Sequence, residues 1–218
     1  MMRPSAFVSS LSALSFEDTF NPYSDTCPVH DKIGAPAQRT RTLTAMLDAA
    51  VNCEVDSLWI GRDLGYRGGR RTGLALTDDL HIAAHARRWG VAISRPTKGQ
   101  PVAERTAAVI WKVLDEIEAP IFLWNAFPLH PHETDSPFSN RAHNANERAA
   151  GEDILSELIV LMCPQRIVAV GNDAAKSAAR IAPAKAVCQV RHPSYGGQSE
   201  FLAQIRSLYS CHSHSLFE

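Results

Sequence analysis

Four short apolar runs set the strongest constraint on the fold. They are Leu58-Trp59-Ile60, "IFLWN" (121–125), "RIVAVG" (166–171) and "AVCQV" (186–190). Runs this short, without polar alternation, read as strands buried on both faces. Between and around them, apolar residues recur at helical spacing over about 38–52, 78–89, 102–117, 145–163, 172–181 and 198–209. Strand–helix alternation of this kind predicts an α/β, three-layer α/β/α fold on a central four-stranded, mainly parallel sheet. The 218 residues fit a single domain, 1–218, with residues 1–36 as an irregular lead-in that opens on a short amphipathic arm.

In such sheets ligands bind beyond the carboxyl ends of the strands. Three unusual loops stand there, after Gly61, after Asn125 and after Val190. The first, "GRDLGYRGGRRTG", holds one acid, Asp63, among Gly61, Gly65, Gly68, Gly69 and Gly73, with Tyr66 surrounded by Arg62, Arg67, Arg70 and Arg71. Glycines let a backbone approach a ligand closely, and guanidinium groups suit a phosphate. A solvated loop with a capping Asp is the plain alternative. The fold should bring Asp63, Asn125 and His192 to one edge of the sheet.

The formal net charge is −1, so no global basic field draws the chain to nucleic acid; a polyanion must meet a local basic patch. The five cysteines are odd in number, widely spaced and without C-x-x-C. That argues against a disulfide framework, a zinc ribbon or an iron–sulfur cluster of usual spacing, and for reduced thiols. No apolar run approaches a membrane span. His130-Pro131-His132-Glu133 and Cys211-His212-Ser213-His214 contain metal-ligating types, but neither has a partner pair at finger spacing. No metal or cofactor is expected. A nucleotide-binding α/β enzyme of another kind would need a P-loop lysine motif or G-x-G-x-x-G, and neither occurs.

From about residue 55 to 205 the chain resembles the uracil-DNA glycosylase superfamily. "GRDLGY…GLAL" (61–66, 73–76) is similar to the family's water-activating motif, and "LWNAF" (123–127) to its base-reading asparagine strand. "AVGNDA" (169–174) stands where the family has a strand and glycine turn, and "RHPSYGG" (191–197) resembles its His-Pro-Ser DNA-binding loop. There are departures. Leu64-Gly65-Tyr66 replaces proline-tyrosine after the acid, Leu76 stands for a stacking phenylalanine, and Tyr195-Gly196 stands where a wedging leucine is found. The cluster cysteines of the thermophilic branch are missing, so the resemblance is to a divergent branch.

The resemblance implies excision of uracil from single- or double-stranded DNA, leaving an abasic site, by a cytoplasmic, nucleoid-associated monomer. Asp63 would stabilise the sugar cation and orient water, and His192 would donate to the leaving uracil. Asn125 would read O4 and N3–H, with Gly61, Tyr66 and Leu76 completing the uracil pocket. Phe127, Tyr23 or Phe20 would supply an aromatic face. Arg67, Arg70, Arg71, Arg141, Ser194 and Tyr195 would contact DNA. The alternative is a protein on the same fold that holds uracil or abasic DNA without turnover.

Overall fold

In the computed structural model, residues 2–210 are described; the Cys211–His214 cluster lies outside them. The elements, in chain order, are α1 (Pro4–Ser12), β1 (Thr19–Phe20), α2 (Ala35–Ala50), β2 (Ser57–Asp63), α3 (Gly69–Thr72), α4 (Ile82–Arg87) and α5 (Arg105–Leu114). They continue with β3 (Ile121–Phe127), β4 (His130–Pro131), α6 (Ala145–Met162), β5 (Arg166–Val170), α7 (Asn172–Ile181), β6 (Val187–Val190) and α8 (Gln198–Ser210).

The main sheet runs β3-β2-β5-β6 and all its pairs are parallel. The expected four-stranded sheet is therefore present. Along β2, Leu58 and Ile60 point into one core while Trp59 points into the other. β3 divides in the same way, with Phe122 and Trp124 on one side and Ile121 and Leu123 on the other. Both faces are covered, which is why these strands read as continuous apolar runs. One core packs against Leu43 and Leu47 of α2 and Leu155 and Leu158 of α6. The opposite core packs against Ile110 and Val113 of α5 and Phe201 and Ile205 of α8.

Two expectations need correction. The N-terminal lead-in is not irregular throughout. Pro4 starts α1, which buries Phe7, Val8 and Leu11, and the Phe7 ring lies 5.7 Å from that of Trp124. The Asn21 amide closes the end of this segment by donating to the Leu11 and Leu14 carbonyls at 2.9 and 3.0 Å. The helix expected over 78–89 shrinks to α4, because Asp78 and Asp79 are used as tethers. Asp78 Oδ2 accepts from the Glu104 N–H at 2.7 Å, and Asp79 accepts from Thr97 Oγ1 at 2.9 Å and from the Val102 N–H at 3.2 Å. These bonds fix the segment that leads into α5.

Candidate active site

The ends of β2, β5 and β6 open onto one cleft of about 850 Å3. Asp63, Leu76, Glu104, Arg191, His192 and Tyr195 are among its lining residues.

Asp63 is the last residue of β2 and pairs in register with Phe127. Its Oδ2 accepts from Arg62 Nε at 2.6 Å, and its Oδ1 is hydrogen-bonded to His143 Nδ1. A carboxylate offers about four acceptor positions, so these two bonds orient the group without exhausting it. His143 directly precedes Asn144, which caps α6 in a reciprocal box with Glu147. Its ring also packs 5.9 Å from Phe127. Nothing in the sequence ties His143 to Asp63. The only local signal is the Asn144-x-x-Glu147 box, which gives the histidine a fixed address at the start of a helix.

Two residues before Asp63, Gly61 pairs in register with Asn125 of β3. Asn125 is 1% exposed, and both its Oδ1 and its Nδ2 are buried without a hydrogen-bond partner. An unsatisfied buried polar group costs about 1–3 kcal/mol. A Cβ on Gly61 would lie 2.4 Å from Asn125 Oδ1 and 2.9 Å from Leu76 Cδ2, so glycine makes the space for both. Leu76 has a left-handed backbone, φ +54°. Its carbonyl is held by Trp111 Nε1 at 3.2 Å. A left-handed, non-glycine residue costs about 1–2 kcal/mol and such strain clusters at functional sites.

His192 reaches the cleft from the turn after β6. Gly171, at φ +90°, lets it approach: a Cβ there would lie 3.2 Å from His192 Cβ. The Ser194 N–H donates to His192 Nδ1 at 3.2 Å, with Ser194 Oγ 2.7 Å from the same nitrogen. A backbone N–H can only donate, so Nδ1 is the acceptor and Nε2 carries the proton of the neutral ring. Burial, and secondarily Arg62 and Arg191, hold the His192 pKa below its usual value.

The structure places several of the expected site residues in contacts of their own. Arg71 is buried and ion-paired with Asp79 at 2.6 Å. Arg70 is buried with its guanidinium 3.9 Å from the Phe20 ring and 4.8 Å from the Phe138 ring. Neither is placed for DNA phosphate. Arg141 lines the cleft, but its donors are taken by Glu147, Thr19 and the carbonyls of Glu17, Asp18, His132 and Ala142. It is a loop clamp. Ser194 fixes the His192 ring. Tyr66 does not line the cleft; its hydroxyl accepts from Arg67 Nε at 2.8 Å and its N–H donates to Asn140. Arg67 is exposed and tied to that ring. The guanidinium groups with access to the cleft are those of Arg62, Arg105 and Arg191.

The aromatic residues expected against the base are committed elsewhere. Phe127 packs edge-on with Phe16, Tyr23 donates its hydroxyl to the Gly73 carbonyl at 2.7 Å, and Phe20 lies under Arg70. Tyr195 alone of the expected aromatic contacts is free. It lines the cleft at 98% exposure, with φ +51°. Among the described residues no group of three or more His, Cys, Asp or Glu side chains is arranged to hold a metal. His130 is enclosed, its Nε2 is 2.8 Å from the Ser139 carbonyl, and burial pushes its pKa down to about 3. No helix among them is long and apolar enough to cross a membrane.

The model of the uracil DNA glycosylase superfamily matches residues 82–207. No curated protein matches the sequence. Among solved structures, the wild-type SMUG2 of Pedobacter heparinus is similar in fold, with a TM-score of 0.67 at 16% identity. The superposition covers 99% of this chain and 100% of that one.

Proposed function

The chain belongs to the uracil-DNA glycosylase superfamily, and from that premise we propose that it flips uracil out of DNA and hydrolyses its N-glycosidic bond, leaving an abasic site. The observation that carries this reading is the Asn125 amide, buried beside Gly61 and Leu76 with neither polar atom bonded. Uracil presents O4 as an acceptor next to N3–H as a donor, which matches Nδ2 and Oδ1 in one orientation. Cytosine presents the reverse and leaves buried groups unpaired.

The reaction separates a sugar cation from a base anion. Asp63, fixed by Arg62 and His143, faces the cation and accepts a hydrogen bond from the attacking water. The new bond joins water oxygen to C1′, while the electron pair of the broken bond leaves on the base. His192 Nε2–H donates to the carbonyl oxygen on which that charge gathers. The ring need not be cationic to donate, which accords with its lowered pKa. Arg62, Arg105 and Arg191 position the phosphates without reading sequence.

A non-catalytic holder of uracil or abasic DNA is the second reading. One observation favours it: Leu76, not an aromatic ring, stands beside Asn125. Release of free uracil from an oligonucleotide separates the two. Wild type releases uracil under the first reading, and Asp63→Asn loses about 10²–10³ of the rate. Binding without release by the wild type supports the second.

A further inference from the structure

The glycine loop after Asp63 encloses a second carboxyl. A Cβ on Gly65 would lie 2.4 Å from Glu104 Oε1, and one on Gly68 would lie 2.0 Å from Oε2. Two glycines of the motif therefore make room for a side chain brought from the start of α5. Glu104 lines the same cleft as Asp63 and His192. Its backbone N–H is held by Asp78, yet its carboxyl makes no hydrogen bond or ion pair with any described residue. A glycine-built recess around an unpartnered acid, opening into a cleft read as DNA-binding, needs a reason.

We propose that Glu104 is a substrate-contacting residue, whose carboxyl donates a hydrogen bond to an acceptor oxygen of bound DNA. The inference rests on the glycosylase reading of this cleft. An ionised carboxylate can only accept, and it would repel a polyanion; a protonated one supplies a donor. Burial first, and Asp78 second, push this carboxyl up to about 7. The charged groups around it are Asp78 on the turn before α4 and Arg105 next in the chain. Across the cleft stand Asp63, Arg62, Arg141, Asp173, Arg191 and His192. None of them bonds the Glu104 carboxyl. Folded and free, the group is neutral below about pH 7 and ionised above it. DNA that requires the neutral form binds in proportion to the neutral fraction.

The test measures affinity for an oligonucleotide carrying 2′-fluoro-2′-deoxyuridine, which resists cleavage, from pH 6 to 8.5 at fixed salt. Wild-type Kd should weaken about 30-fold over this range, the ratio of neutral fractions for a group at about 7. Glu104→Gln, an isostere whose amide donates at every pH, should bind with a flat profile near the wild-type value at pH 6. Glu104→Ala should be flat and weaker. A second oligonucleotide with a tetrahydrofuran abasic residue separates the two acceptors. Persistent pH dependence assigns the contact to the phosphate backbone; its loss assigns it to a uracil carbonyl. A flat wild-type profile, or an unchanged pH dependence in Glu104→Gln, overturns the proposal. If uracil release persists alongside either result, the glycosylase reading stands without it. A wild type that neither binds nor cleaves uracil DNA removes both.

Discussion

Gly61 and Asn125 face each other across adjacent parallel strands, and the glycine's missing side chain is the space that the asparagine amide occupies. The pairing lies two residues before Asp63, which lines the cleft, while Gly61 and Asn125 themselves are not among the lining residues. Gly61→Ala would set a methyl 2.4 Å from Asn125 Oδ1. Either the amide or Leu76 must move. Overpacking of this kind costs about 1–3 kcal/mol. The expected outcome is a folded protein with uracil release reduced at least about tenfold, since a misplacement of 1 Å costs about 10²-fold. Thermal denaturation beside single-turnover kinetics checks both halves.

The Asp63–His143 contact makes a separate prediction. His143 acts through Asp63 as a positioning residue, so His143→Ala should lower kcat by about tenfold and leave KM nearly unchanged. Asp63→Asn removes the charge itself and should cost about 10²–10³. In the double variant the two losses should not add, because both act on one carboxylate. Additive losses would place His143 in a different role.

The sheet was legible because strands buried on both faces leave continuous apolar runs. Asp63, Asn125 and His192 were expected at strand ends; Asp63 and His192 line the cleft, and the loop after β3 reaches it through Asn140 and Arg141, while Asn125 itself is buried in β3. The arginines were not legible. Arg70, Arg71 and Arg141 look like phosphate ligands in the sequence, and each is engaged within the fold: by Phe20 and Phe138, by Asp79, and by Glu147 respectively. Arg70 meets rings 50 and 68 residues away, and even the nearer partners, eight residues from Arg71 and six from Arg141, fall at no regular helix or strand spacing. The glycines were read as a path for ligand approach. Gly61, Gly65 and Gly68 also make room for Asn125 and Glu104, which spacing alone does not show.

That reassignment of the arginines is testable by salt. Arg191→Ala, exposed at the cleft, should reduce the log–log salt slope of DNA binding by about 1. Arg71→Ala should leave the slope intact but lower stability by about 1–3 kcal/mol, because Asp79 loses its buried counter-charge and keeps Arg95 at 3.5 Å and the donors of Thr97 and Val102. A reduced slope in Arg71→Ala with unchanged melting would contradict the buried pair.

Tyr195 is the exposed aromatic on the cleft wall, held in a left-handed turn with Gly196. Stacking of one base on an aromatic ring contributes about 1–3 kcal/mol. Tyr195→Ala should therefore weaken binding about 5- to 150-fold, and slow release from duplexes more than from single strands, where no stack need be opened. Equal effects on both substrates would assign Tyr195 to simple strand contact.

The central claim is that the Asn125 amide reads uracil. Asn125→Asp removes the amide donor, and wherever the buried carboxyl is ionised it repels uracil O4. One lost hydrogen bond and one repulsive contact should cost about 2–4 kcal/mol. The direct measurement is release of uracil and of cytosine, from single strands and duplexes, by wild type and Asn125→Asp. The expected result is uracil release without cytosine release by wild type, and uracil release reduced about 30- to 900-fold in the variant. Equal uracil release by Asn125→Asp and wild type would contradict the account.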